Sequence, residues 1–212
     1  VIEIYPTLIN PTLAKKCIIF LAGRGGTAKE DSFWNYKSQF EKMKAENILL
    51  VGAAAKKEYY PSPRGPLDQE EAIRGQGKAV GEIMNIVLAM EHDYEVKREN
   101  IWLCGFSAGA VMAVLVAVQA TKHFGGVVAH NGAILEPDNI PQSNGQMKTP
   151  FALFHANDDN VFKRDERYLP MKKTLITKGY NVTCFETETG GHTISQDQIE
   201  QACSFISRPH GG

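Results

Sequence analysis

The pentapeptide Gly105-Phe106-Ser107-Ala108-Gly109 constrains this chain more than any other feature of its sequence. It follows the apolar stretch Ile101-Trp102-Leu103-Cys104 directly and runs straight into the apolar helical pattern Ala110–Gln119. A strand that turns into a helix this sharply strains the residue at the apex, and the neighbours two positions away must lack side chains for strand and helix to approach. Gly105 and Gly109 meet that need. The arrangement is predicted to expose the Ser107 hydroxyl above a sheet and to aim the Ala108 N–H, at the helix start, toward an incoming carbonyl oxygen.

The rest of the chain alternates in the way such an elbow requires. Short apolar runs recur at Lys16–Ala22, Ile48–Ala53, Asn100–Cys104, Gly126–His130, Phe151–His155 and Tyr180–Phe185, with longer helical patterns between them. Within Asp68–His92, Ile73, Val80, Ile83, Met84 and Val87 recur at three-, four- and seven-residue steps and so share one helix face. Polar residues followed three positions later by Glu or Gln mark helix starts at Thr27 with Glu30, Asp68 with Glu71, and Ser195 with Gln198. Strands alternating with helices imply a mainly parallel twisted sheet with helices on both faces. The 212 residues suit a single domain over 1–212, with 1–15 an N-terminal extension or edge strand and 208–212 a frayed tail.

Composition removes several function classes. The formal charge is -1 and no basic cluster exceeds two adjacent residues, which argues against nucleic acid as a partner. The longest apolar run, Ala110 to Val118, has nine residues, far from the roughly 20 needed for a membrane span. Cys17, Cys104, Cys184 and Cys203 lie far apart and three of them sit in apolar stretches, as expected of buried thiols in a reducing compartment. The chain carries no secretory signal pattern, so a cytoplasmic location is expected.

A serine hydroxyl is a weak nucleophile at neutral pH and needs a base, and the base needs a partner that holds its tautomer. With an elbow of this kind the partners follow in the order Ser, acid, His. His92 precedes the serine, His123 lies beside Thr121-Lys122, His130 and His155 end strands, and His210 is in the tail. His192, in Thr189-Gly190-Gly191-His192-Thr193, has the right order and a glycine-rich loop between the last strand and the last helix. For the acid, Phe151–Val161 describes a strand opening into a loop with two adjacent carboxylates, Asp158 and Asp159, of which one is expected to reach His192. A metal site from this pair lacks further ligands at suitable spacing, so no metal is expected. The second oxyanion donor belongs in the loop after the first of these strands, where Gly23-Arg24-Gly25-Gly26 lets backbone approach a ligand closely. That loop has neither a dinucleotide fingerprint nor a P-loop.

These residues resemble the phospholipase/carboxylesterase family of α/β-hydrolases, which includes the acyl-protein thioesterases. The resemblance covers about Lys16 to Ser207 and rests on Phe20–Thr27, Gly105–Gly109, His155–Phe162 and Gly190–Ser195, with Tyr59-Tyr60-Pro61 and Gly65-Pro66 also similar. It implies an α/β-hydrolase fold with no large lid domain. It implies Ser107 as nucleophile, His192 as base and Asp159 as acid, because the family's H-G-x-x-D-x-V-V run matches His155 to Phe162. The oxyanion donors implied are the backbone N–H groups of Arg24 and Ala108. Gly23, Tyr60 and Phe162 are implied substrate contacts. Three positions depart from the family pattern: Ala22 replaces the usual His, Ala156 a Gly, and Ala108 a frequent Gln.

The function expected is hydrolysis of a small-molecule ester or thioester through an acyl-enzyme, with no cofactor, by a monomer or homodimer. The same triad would also serve a lactone or an aryl ester. A non-catalytic binding module with a decayed oxyanion loop is the alternative that Ala22 motivates.

Overall fold

The computed structural model of the protein describes residues 2–9, 15–28, 31–45, 47–55, 66–143 and 148–208. Its strands are β1 (Ile2–Ile9), β2 (Lys16–Leu21), β3 (Ile48–Ala55), β4 (Ile101–Phe106), β5 (Gly126–His130), β6 (Pro150–Ala156) and β7 (Asn181–Thr187). They form one sheet ordered β1-β3-β2-β4-β5-β6-β7, in which β1 runs antiparallel to β3 and all other neighbours are parallel. Among the described residues five α-helices accompany them: α1 (Asp31–Lys42), α2 (Pro66–Asp93), α3 (Ala108–Gln119), α4 (Leu169–Thr177) and α5 (Gln196–Ser207).

A strand covered on both faces reads as a continuous apolar run, and β2 shows how the run is divided. Cys17, Ile19 and Leu21 face the larger core, where α2 contributes Ala79, Ile83, Val87 and Met90 and α3 contributes Ala110, Ala113, Val114 and Ala117. Ile18 and Phe20 point the other way, toward Phe33, Tyr36 and Phe40 of α1 and Ile199, Ala202, Cys203 and Ile206 of α5. The period of two along the strand and the three- and four-residue steps along the helices therefore meet on both sides of the sheet. Helix α3 has no polar face before its last residue, and nine of its twelve residues are buried, because it lies over β4, β5 and β2 and against α2.

Strand order places the site. From β2 the chain passes to β3 on one side, then to β4 on the other, so the winding direction reverses between β2 and β4. At such a switch point the loops leaving the carboxyl ends of the two strands diverge and leave a crevice. Those loops carry Gly23–Gly26 and Ser107.

All six expected parallel strands are present, and residues 2–9 form a strand antiparallel to β3 at the sheet edge. Ser195 and Gln198 form a complete capping box at the start of α5. The expected start at Asp68 needs correction: α2 begins at Pro66, whose fixed φ suits a first helical position and whose missing N–H costs no helical bond there. The other expected start falls partly on Glu30, outside the described residues; α1 begins at Asp31. Residues 209–212 of the expected tail also lie outside the described residues. Cys17, Cys104 and Cys203 are buried, Cys184 is half-buried, and all four thiols are free. Among the described residues no separate lid domain covers the Ser107 end of the sheet, and no helix is long and apolar enough to cross a membrane.

Candidate active site

The apex of the strand–turn–helix is strained as its sequence predicts. Ser107 has φ 54° and ψ −120°, a conformation that costs an L-residue about 1–3 kcal/mol and persists only where the surroundings impose it. Here they do. The Ser107 N–H donates to His130 O at 2.9 Å, and Ser107 O accepts from Val111 N–H at 3.1 Å. A Cβ on Gly105 would lie 2.4 Å from the Gly109 carbonyl, and a Cβ on Gly109 would lie 2.0 Å from Leu21 O. Both glycines are thus required by backbone packing, and Gly109 ties α3 to the end of β2.

His192 and Asp159 meet Ser107 from two other loops, after β7 and after β6. His192 Nε2 lies 2.8 Å from Ser107 Oγ, and His192 Nδ1 lies 2.8 Å from Asp159 Oδ2. With the Nδ1–H donating to the carboxylate, Nε2 is the acceptor that faces the serine hydroxyl. The second oxygen, Asp159 Oδ1, accepts from Val161 N–H at 2.8 Å and Phe162 N–H at 3.0 Å, a local turn that leaves the carboxylate no other orientation. Asp159 is 3% exposed. Burial opposes its ionisation, but the hydrogen bonds from His192, Phe162 and Val161 outweigh that and hold its carboxyl below the ordinary value. The imidazole of His192 packs near two rings, with centroid distances of 4.9 Å to Phe106 and 5.8 Å to Phe162.

Gly23 stands beside Ser107, since a Cβ there would be 3.5 Å from Ser107 Cβ. The turn that follows closes through Gly26 N–H to Gly23 O at 3.0 Å, with Gly25 at φ 76°, the left-handed value that the third position of a type II turn requires. Arg24 is the second residue of this turn, so its N–H takes no part in the turn's own bond. Its side chain is exposed. The Ala108 N–H belongs to the first turn of α3, where helical N–H groups have no partner within the helix. Tyr60 lies outside the described residues, as does Tyr59.

The remaining histidines sit elsewhere. His130 is fully buried, bonded to Tyr36 Oη at 2.6 Å and stacked on Phe154, and burial pushes its pKa down to about 3. His155 is fully buried and stacks on Tyr168 at 4.1 Å. His92 is exposed beside Asp93, and His210 is outside the described residues. Two residues that the sequence does not single out for this role touch the His192 loop. Asp158, exposed, accepts from Gly191 N–H at 2.7 Å. Asn131, buried, donates to Thr193 O at 2.6 Å. The signals were present, a second carboxylate beside the first and an Asn-Gly pair at a strand end, but neither is specific in one sequence. Among the described residues no group of three or more His, Cys, Asp or Glu side chains is placed to hold a metal ion.

The fold has close counterparts of known structure. An esterase called PE8 superposes with a TM-score of 0.83 at 20% identity, over 97% of each chain. A phospholipase/carboxylesterase from Dyadobacter fermentans superposes with a TM-score of 0.75 at 22% identity, over 97% of this chain and 96% of that one. In sequence, the chain is 28% identical over 150 residues to acyl-protein thioesterase 1 of Aspergillus fumigatus, a match covering 67% of this chain and 62% of the relative's length. The family model described as Phospholipase/Carboxylesterase matches residues 9–210, nearly the whole chain, and the protein belongs to that family of α/β-hydrolases.

Proposed function

We propose that the protein is a serine hydrolase that cleaves a carboxylic ester or thioester through an acyl-enzyme. The observation that carries this reading is the unbroken hydrogen-bonded series from Ser107 Oγ through His192 to Asp159 at 2.8 Å and 2.8 Å, on an elbow strained in the manner such nucleophiles need. Ser107 Oγ attacks the carbonyl carbon while its proton passes to His192 Nε2. The oxyanion that forms accepts hydrogen bonds from the backbone N–H groups of Arg24 and Ala108. Asp159 keeps Nδ1–H oriented and stabilises the imidazolium. Collapse of the tetrahedral adduct breaks the bond to the alcohol or thiol, which leaves with the proton from Nε2. Water, deprotonated by the same nitrogen, then releases the acid and restores Ser107.

The absence of a separate lid domain among the described residues supports an open site for short or flexible acyl groups. That relatives are named acyl-protein thioesterase and carboxylesterase supports a thioester or ester as the bond cleaved here, rather than a lactone. Free thiols, three of them buried, suit work in a reducing compartment such as the cytoplasm. The test is reaction with a fluorophosphonate probe together with turnover of p-nitrophenyl acetate. The wild type should be labelled at Ser107 and should turn over the ester; Ser107→Ala should do neither while melting at or slightly above the wild-type temperature, since the strained serine contributes little packing. Labelling at another residue, or activity retained in Ser107→Ala, would overturn the assignment.

A further inference from the structure

The three loops of the site hang from one point, the end of β5. His130 O holds the Ser107 N–H at 2.9 Å. The next residue, Asn131, has φ 46°, a left-handed backbone that asparagine tolerates better than most residues. Its N–H donates to Phe154 O at 2.9 Å, and its Oδ1 accepts from Ala156 N–H at 3.1 Å, which binds it to the end of β6 just before the Asp159 turn. Its Nδ2 donates to Thr193 O at 2.6 Å and, more weakly, to Gly191 O at 3.4 Å. Those two carbonyls flank His192 on either side. Asn131 itself is 0% exposed.

The loop it grips is otherwise loosely specified. Gly190 and Gly191 have φ values of 142° and 58°, and glycines leave the backbone many alternatives. Asp158 holds the Gly190 and Gly191 N–H groups, but from an exposed position where water competes. The buried amide is the anchor that water cannot replace without leaving polar groups unpaired.

We propose that Asn131 is a positioning residue that fixes the His192 imidazole over Ser107 by clamping the carbonyls on both sides of His192 to the end of β6. The inference rests on the hydrolase reading and names the residue that keeps the base in register. A misplacement of about 1 Å in a reacting group can cost about 10²-fold in rate, so the effect falls on kcat. Two variants test it. Asn131→Gly keeps the left-handed backbone and removes the amide. Asn131→Asp keeps the acceptor for Ala156 N–H and turns an oxygen toward the two carbonyls.

Three quantities should be measured on each full-length variant: kcat and KM for p-nitrophenyl acetate, the melting transition, and the downfield proton resonance of the His192 Nδ1–H bonded to Asp159. Both variants should lose about 10- to 10²-fold in kcat with KM little changed, and the downfield resonance should broaden or vanish while the melting transition stays cooperative. A variant that folds, keeps kcat within about threefold of the wild type (a threefold change is about 0.7 kcal/mol) and keeps the resonance overturns the proposal. So does a loss of activity that follows only the loss of folded protein, with the resonance intact. If the wild type proves inert to ester and fluorophosphonate, the hydrolase reading fails, and the resonance in wild type and variants still decides whether Asn131 holds His192 against Asp159.

Discussion

Replacing Asp159 by asparagine changes one atom of the site and reverses a hydrogen bond. In the wild type Oδ1 is committed to the N–H groups of Val161 and Phe162, so the asparagine oxygen must take that position, where an NH2 would face two donors. The amide nitrogen then occupies the place of Oδ2, 2.8 Å from His192 Nδ1, and donates to it. His192 is forced to carry its proton on Nε2, the atom that faces Ser107 Oγ at 2.8 Å and should accept from it. The geometry survives and the tautomer is wrong. Such an inversion costs roughly 10⁴ in kcat, about 5 kcal/mol of barrier. Asp158→Asn supplies the contrast. Its Oδ1 accepts from Gly191 N–H at 2.7 Å and its Oδ2 only weakly from Gly190 N–H at 3.4 Å, so an asparagine oxygen can keep the stronger of the two bonds, and the loss should stay within about tenfold, or about 1.4 kcal/mol. Steady-state hydrolysis of p-nitrophenyl acetate by both variants, at matched folded fraction, measures the ranking. Equal losses, or the larger loss in Asp158→Asn, would refute the argument. The same variant carries a stability signature. The folded state holds Asp159 below its ordinary pKa, so this group's contribution to stability is present above the unfolded value and is lost as pH falls through the folded one. The difference in melting temperature between wild type and Asp159→Asn should therefore be widest near neutral pH and shrink in acid.

Three further outcomes are expected. Arg24→Ala removes an exposed side chain and leaves the backbone donor, so kcat on a small neutral ester should change by only a few fold, against about 10²–10³ for losing an oxyanion donor; a loss confined to an anionic ester would make the guanidinium a substrate contact. EDTA should leave turnover unchanged, and activity that vanished on chelation and returned with zinc or manganese would contradict the proposed mechanism. Gly109→Ala places a methyl 2.0 Å from Leu21 O, where backbone must move, so it should lower the melting temperature sharply and abolish labelling of Ser107; a variant with wild-type stability would mean that α3 shifts freely on β2.

Local chemistry made part of this protein legible from its sequence. The elbow could be read because Gly105 and Gly109 are demanded by contacts within a few residues of Ser107 and by the approach of one neighbouring strand. Strands β2 to β6 were visible as apolar runs because a strand buried on both faces has no polar alternation to hide it, whereas β7, at the sheet edge, is only partly buried. His192 stood out by its order after the serine and its glycines. What remained open was whatever depends on how distant segments meet. Asp158 and Asp159 are equivalent as neighbours in a loop; only the turn that commits Asp159 Oδ1 to Val161 and Phe162, and the placement of a loop 33 residues away, turn one toward the His192 ring and the other toward the Gly191 backbone. The pairing of β1 with β3 depended on which sheet edge lay open, and the role of Asn131 on three loops meeting at the end of β5. Dihedral strain and periodicity are written in consecutive residues, whereas a contact across 85 residues, such as His192 to Ser107, exists only once strand order has brought both loops to the same end of the sheet.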